Sequence, residues 1–124
     1  MDIIISNSAG TPIYEQITQQ MKGLILRGEL REGEALPSMR LLAKELRISV
    51  ITTKRAYEEL ERDGFLENVP GKGCFVAPQN RELLREAQLR RVEEKLTQAI
   101  EEARRGAVSL EELKEMLTEL YQEV

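Results

Sequence analysis

The sequence lacks histidine and tryptophan altogether and contains one cysteine in 124 residues. Histidine is the commonest general base and metal ligand in proteins, so its absence argues against an enzyme or a metal centre. A single cysteine, Cys74, can form neither a disulfide within the chain nor a cysteine cluster for a metal. We therefore expect no enzymatic activity, no metal and no cofactor.

Long apolar runs are also missing. The longest one near the N-terminus is residues 3–5, far short of the ~18 residues that cross a bilayer. The N-terminus also lacks the basic and then apolar pattern of a signal peptide. These features predict a cytoplasmic protein with no membrane contact.

An excess of positive charge is absent as well, because the formal net charge is −4. Residues 1–78 carry 10 Lys and Arg against 11 Asp and Glu. Binding to nucleic acid would therefore depend on where individual cations lie and not on bulk attraction.

The first part of the chain predicts a short strand and a helix. Residues 3–5 are β-branched and are followed by turn-forming residues, which indicates a short edge strand. Thr11 and Pro12 are typical of the N-cap and first position of a helix. Apolar residues then recur at helical spacing until Gly28. They are Ile13, Ile17, Met21, Leu24 and Ile25.

Two short helices follow, separated by about three residues. Ser38 is the expected N-cap of the first, and Ser49 is the expected N-cap of the second, which runs to Asp63 before Gly64. This spacing is typical of a helix-turn-helix. The predicted buried positions are Leu41, Leu42, Ala43 and Leu46 in the first helix, and Thr53, Ala56, Tyr57 and Leu60 in the second.

A hairpin is predicted directly after these helices. Residues 65–69 and 74–77 have strand-like composition and flank the glycine-rich segment 70–73. A hairpin in this position forms a wing. We therefore predict that residues 1–78 are a winged helix-turn-helix domain.

The remaining residues, 79–124, predict a helical hairpin that serves as a dimerisation tail. One helix covers residues 80–105, and a second begins after Ser109, which with Glu112 fits a capping box. Each helix carries an apolar stripe with heptad spacing, and two helices alone bury two such stripes poorly, so a second copy of the chain is the expected partner. The predicted dimerisation residues are Leu89, Val92, Leu96, Leu110, Leu113, Leu117 and Leu120, with Ala99, Ala103 and Val124 continuing the stripes. The expected fold is mainly α with a small β wing.

Residues 11–77 carry a more specific pattern. It comprises Leu36-Pro37-Ser38-Met39-Arg40-Leu41-Leu42-Ala43, then Ser49, Thr52, Ala56-Tyr57, Leu60, Gly64 and Gly71-Lys72-Gly73-Cys74-Phe75-Val76. This pattern resembles the GntR family of winged-helix regulators, and the compact tail resembles the YtrA-like branch of that family. The resemblance implies a homodimeric repressor that binds double-stranded DNA at a palindromic operator, often beside transporter genes.

The resemblance, together with the helix and hairpin positions, predicts the residues that contact DNA. They are Arg40, Ser49, Val50, Ile51, Thr52, Lys54, Arg55, Gly71, Lys72 and Gly73. Val50 is a departure, because many family members carry arginine there, a residue suited to guanine. Apolar side chains can only contact a thymine methyl or follow DNA shape, so A·T pairs are expected opposite Val50 and Ile51.

Each of these assignments has an alternative reading. Val50 or Ile51 could belong to the core, and the wing tip could be a plain hairpin turn. Arg55 could pair with Glu58 or Glu59 on the same helix. Arg40 could form a salt bridge with Glu34 or Glu45.

The function of the whole chain also has an alternative, since winged helices can bind protein instead of DNA. The tail offers little volume for a ligand cavity of ~300 Å³ or more. A small-molecule effector at the dimer interface, or none, is therefore expected in place of a separate effector domain.

Overall fold

The computed structural model describes residues 1–8 and 10–123, and it confirms a mainly α fold with a small β wing. The elements are α1 (Ile13–Leu26), α2 (Met39–Leu46), α3 (Val50–Arg62), β1 (Leu66–Val69), β2 (Gly73–Val76), α4 (Arg81–Arg105) and α5 (Leu110–Glu123). Two compact units are present, one covering Met1–Leu84 and the other beginning at Arg85. Across the described residues no helix is long and apolar enough to span a membrane.

The first unit is built around α3, which packs against both α1 and α2. All four positions predicted to be buried on α3 are buried, because their spacing puts them on one side of the helix. The core residues with almost no exposure include Ile17, Met21, Leu42, Ala56, Tyr57, Leu60 and Val76. This packing fixes which side of α3 faces outward.

The predicted caps of the helix-turn-helix are confirmed. Ser38 Oγ accepts a hydrogen bond from Leu41 N at 3.1 Å, and Ser49 Oγ accepts one from Thr52 N at the same distance. The turn between the helices places Arg47 in the left-handed region, with φ of 57°. Sharp termination of α2 at this residue lets α3 start three residues later in a new direction.

The apolar side of α2 is only partly as predicted. Leu42 and Ala43 are buried and Leu46 is half-buried, whereas Leu41 is 47% exposed. On a helix of two turns, Leu41 lies too far around from Leu42 and Leu46 to reach the same core.

The predicted N-terminal strand is wrong. Residues 3–5 pair with no strand in the described chain, and glutamine side chains of α1 take the place of a partner strand. The side chain of Gln20 donates to Ile4 O at 2.7 Å and accepts from Ile4 N at 2.9 Å. The side chain of Gln16 bonds Ser6 in the same two-way manner, at 2.8 Å in each direction. An amide side chain carries both a donor and an acceptor, so it can satisfy an extended backbone as a neighbouring strand would.

The predicted start of α1 is wrong by one residue. Pro12 occupies the N-cap position, and no side chain caps the helix. The carbonyl of Thr11 accepts a hydrogen bond from Gln16 Nε2 at 2.8 Å, and Gln16 also bonds Ser6, so one side chain of α1 holds both Thr11 and the N-terminal segment.

We expect Gln16→Leu to lower the free energy of unfolding by about 1–3 kcal/mol. The change removes hydrogen bonds to Ser6 and Thr11, and each such bond contributes about 1 kcal/mol net. Urea denaturation measures the difference. Gln19→Leu is the matched control, because Gln19 is exposed on the same helix and its replacement should change stability by less than about 0.5 kcal/mol. Equal effects of the two substitutions would show that the amide contacts contribute nothing.

The wing is an antiparallel hairpin whose register runs from Leu66 opposite Val76 to Val69 opposite Gly73. Both strands lie within one residue of their predicted positions. The segment before α2 adds a bridge from Ala35 to Phe75, with hydrogen bonds from Gly33 N to Val76 O and from Leu36 N to Cys74 O. The wing is thereby attached to the chain that leads into the helix-turn-helix.

The second unit contains most of α4 and all of α5. Ser109 Oγ accepts from Glu112 N at 3.1 Å, which confirms the predicted start of α5. Among the described apolar residues of this unit, Ala103 is buried and Val108 and Leu113 are half-buried, all near the turn, and the polar Gln88 is half-buried as well. Along the rest of their described lengths α4 and α5 do not pack against each other. Away from the turn their apolar stripes therefore remain exposed in the single chain, and Val124 lies outside the described residues.

Candidate nucleic-acid interface

The outer side of α3 carries exposed apolar residues at its N-terminus. Ile51 is 81% exposed and Val50 is 44% exposed. The alternative that one of them belongs to the core is therefore wrong. The core positions of α3 start at Thr53, and Ile51 lies on the opposite side of the helix. Val50 and Ile51 together form a small apolar surface at the start of α3 that is accessible to an outside partner.

Hydroxyl groups occupy the start of α3. Ser49 Oγ and Thr52 Oγ1 are 2.8 Å apart, in addition to the capping bond from Thr52 N to Ser49 Oγ. Ser49 is exposed and Thr52 is half-buried at the flank of the helix. Both hydroxyls keep free hydrogen-bonding capacity at the end of α3 that carries the positive end of its dipole.

Lys54 is exposed one turn further along, and its ammonium lies 3.8 Å from Glu58 Oε1. This contact is long and solvent-exposed, so it contributes little to stability and leaves the ammonium able to reach another anion. The sequence had suggested Glu58 as a partner of Arg55 instead. Glu59, the other partner predicted for Arg55, is paired with Arg62 at 3.4 Å.

Arg55 stacks on an aromatic ring. Its guanidinium carbon lies 3.8 Å from the centre of the Tyr14 ring, at the start of α1. Burial raises the pKa of the Tyr14 phenol although the guanidinium lowers it, so the ring is neutral under the guanidinium. Tyr14 was not among the predicted site residues, because 40 positions of sequence separate it from Arg55 and no local pattern joins them.

Arg40 projects from the first turn of α2 and is exposed. Among the described residues no carboxylate lies within 4 Å of its guanidinium, so the predicted alternative pairing with Glu34 or Glu45 does not form. A cation in the first turn is disfavoured by the helix dipole, which makes an external anion its natural partner.

The wing tip is narrow and exposed. Gly71 and Gly73 have φ of 76° and 115°, values that glycine adopts without strain, and Lys72 N donates to Val69 O at 3.0 Å to close the turn. The side chain of Lys72 is the one cation in the segment 70–73, and in the described chain it forms no ion pair.

Polar contacts between distant parts of the chain hold these elements in place. Tyr57 on α3 donates its hydroxyl to Pro37 O at 2.7 Å, directly before the cap of α2. Burial, with smaller contributions from Cys74 and Glu45, raises the pKa of Tyr57, so the hydroxyl stays protonated and can donate. Lys22 on α1 lies 2.9 Å from Asp63 Oδ2 and 5.3 Å from the centre of the Phe65 ring, at the junction of α3 and the wing.

The family model for bacterial regulatory proteins of the gntR family matches residues 13–76, which include α1, the helix-turn-helix and both wing strands. The chain belongs to the GntR family. The HTH-type transcriptional repressor YtrA of Bacillus subtilis is 39% identical over 98% of this chain and 94% of its own length. Several other relatives are longer proteins, of which this chain matches from 15% to 30%.

Solved structures show the same GntR architecture. A structure described as a transcriptional antiterminator from Listeria monocytogenes EGD-e has a TM-score of 0.78 and 33% identity, and the similarity covers 99% of this chain and 92% of that one. AraR(DBD) in complex with operator ORE1 has a TM-score of 0.52 and 25% identity, covering 62% of this chain and 94% of that one.

Membership of the GntR family makes the chain a DNA-binding transcriptional regulator. Its relatives are regulators and not enzymes, as the sequence had predicted. In the part of the chain that the structure describes, no group of acidic or cysteine side chains could hold a metal ion.

Proposed function

We propose that the protein is a cytoplasmic repressor that binds a palindromic operator as a homodimer, with α3 of each protomer in the major groove. The observation that carries this proposal is that Ile51 is exposed at the start of α3. The same end of α3 carries the capped backbone N–H of Thr52 and exposed cations. The B-DNA major groove admits an α-helix, and the N-terminal residues of a recognition helix contact the base edges.

Different parts of the surface have different roles in this complex. Val50 and Ile51 contact thymine methyl groups, and they supply sequence preference because side chains without donors or acceptors favour A·T pairs. The polar and glycine residues contact the sugar-phosphate backbone and position the helix. The residues that make these contacts with the DNA backbone are Arg40, Ser49, Thr52, Lys54, Arg55, Gly71, Lys72 and Gly73.

The tail joins two such modules. The exposed apolar side chains of α4 and α5 include Leu89, Val92, Leu96, Leu110, Leu117 and Leu120. They are regularly spaced and have no partner in the described single chain, and a second copy buries them in a four-helix interface with Leu113. One near-neutral module makes few phosphate contacts, so joining two of them raises the affinity through effective concentration.

The same proposal covers regulation and genomic context. The resemblance to the YtrA-like branch supports a transporter operon as the regulated target. The helical tail offers little volume for a ligand cavity, so the proposal places any small effector where two tails meet.

Selection from a pool of randomised DNA duplexes tests the proposal. We expect enrichment of an inverted repeat whose half-sites are about one helical turn, or a multiple of it, apart. Fluorescence anisotropy then measures binding of the enriched duplex. Failure to enrich any sequence would overturn the proposal and favour a module that binds protein.

A pair of charge variants provides the control for this experiment. Arg40→Ala with Lys72→Ala should weaken binding of the enriched duplex and make it less dependent on salt. Arg62→Ala with Arg31→Ala removes the same number of exposed cations from positions outside the proposed interface. Equal weakening by both pairs would show that the effect comes from net charge alone.

A further inference from the structure

The contact between Arg55 and Tyr14 joins the recognition helix to the first turn of α1. The guanidinium carbon is 3.8 Å from the ring centre, which is the close, face-on distance of a cation-π stack. Tyr14 is half-buried, and its hydroxyl donates to Glu15 Oε1 at 3.2 Å. The hydroxyl end of the ring is therefore held by the next residue of α1. The contact is therefore one between a supported ring and an exposed cation.

The stack does not use the N–H donors of the Arg55 guanidinium. Stacking covers one face of the guanidinium, while its five N–H donors point outward in the plane of the group. Among the described residues no carboxylate oxygen lies within 4 Å of the guanidinium nitrogens of Arg55. Arg55 thus holds a complete set of donors that fits two oxygens of a phosphate.

The position of the guanidinium favours the DNA backbone over a base. Arg55 lies one turn after Ile51 on the outer side of α3, but its side chain extends toward α1 and not along the front of the recognition helix. When a helix lies in the major groove, its flank faces the phosphates that line the groove.

We propose that Tyr14 is a positioning residue for DNA binding: its ring holds the Arg55 guanidinium flat at the flank of α3, ready to bind a backbone phosphate. This inference rests on the proposed function. An arginine side chain that is already ordered loses less conformational entropy when it meets phosphate than a freely moving one. Tyr14 therefore contributes to affinity without touching DNA.

The test measures binding of the duplex enriched with the wild-type protein, over a series of KCl concentrations. Arg55→Ala should reduce the salt dependence by about 0.9 in the log-log slope for each protomer, because one phosphate contact is lost. Tyr14→Leu should lower the affinity about threefold for each protomer, about tenfold for a dimer, while Tyr14→Phe keeps the ring and should bind like the wild type. In the Arg55→Ala background, Tyr14→Leu should have no further effect.

Two results would overturn the inference. One is equal weakening by Tyr14→Phe and Tyr14→Leu, which would assign the effect to the hydroxyl. The other is an undiminished effect of Tyr14→Leu in the Arg55→Ala background, which would assign it to the general fold.

Arg55→Lys tests the same stack should Tyr14→Leu fail to fold, since Arg55 is exposed. Lysine keeps the charge but loses the flat face, so we expect an unchanged salt slope with about tenfold weaker binding by a dimer. Binding equal to that of the wild type would overturn the inference. A wild-type protein that binds no duplex would instead contradict the proposed function.

Discussion

Replacing Leu96 and Leu117 together by aspartate should convert the protein to monomers and lower its affinity for operator DNA by about 100-fold or more. Leu96 is 43% exposed and Leu117 is 53% exposed, and each lies on the apolar stripe of its helix. Burying a carboxylate in an apolar interface is strongly unfavourable, and loss of the second module removes the gain from effective concentration. Light scattering measures the mass in solution, and fluorescence anisotropy measures the affinity.

The matched control places the same charges on the polar sides of the same helices. Gln98→Asp with Gln122→Asp should leave both the mass and the affinity unchanged, because both glutamines are exposed and lie opposite the apolar stripes. Thermal unfolding of the first unit should be unaffected by either pair. A Leu96→Asp and Leu117→Asp variant that remained dimeric would show that the tail is not the interface.

Replacing the A·T pairs opposite Val50 and Ile51 by G·C should weaken binding by about 10- to 100-fold for each pair in a half-site. The reason is that neither side chain can form a hydrogen bond to guanine or cytosine, while the thymine methyl contact is lost. Anisotropy at one fixed salt concentration measures the change. The same replacements outside the half-sites should leave the affinity unchanged.

Val50→Arg provides the reciprocal test of this base preference. Arginine can donate bidentate hydrogen bonds to guanine O6 and N7, so the variant should prefer a G·C pair where the wild type prefers A·T. A wild-type protein that required G·C opposite Val50 would contradict this account of the interface.

The secondary structure of the first unit could be predicted closely because its signals are local. Ser38 and Ser49 each cap the helix that follows, and Gly64 has the left-handed conformation expected after α3. The spacing of the α3 apolar residues also predicted its buried side. Caps and periodicity act within one or two helical turns, so neighbouring residues contain the information.

The N-terminal segment shows where such local reasoning fails. Its β-branched residues predicted a strand, but a strand needs a partner, and composition does not reveal whether one is available. Gln16 and Gln20 supply the pairing groups from a helix 10 or more residues away in the sequence. The same limit applies to the Tyr14 ring beneath Arg55, since that contact exists only because α1 packs across α3.

The sequence by itself determined the helix-turn-helix, the wing, the apolar stripes of the tail and the residue types at the proposed interface, because each depends on short-range spacing and propensity. Tertiary structure decided which of those residues are available: it exposed Ile51, placed Arg55 on Tyr14 and left the stripes of α4 and α5 uncovered. Which side chains are exposed and which have a contact partner depends on how distant segments pack. Packing is a property of the whole chain and not of any short segment of the sequence.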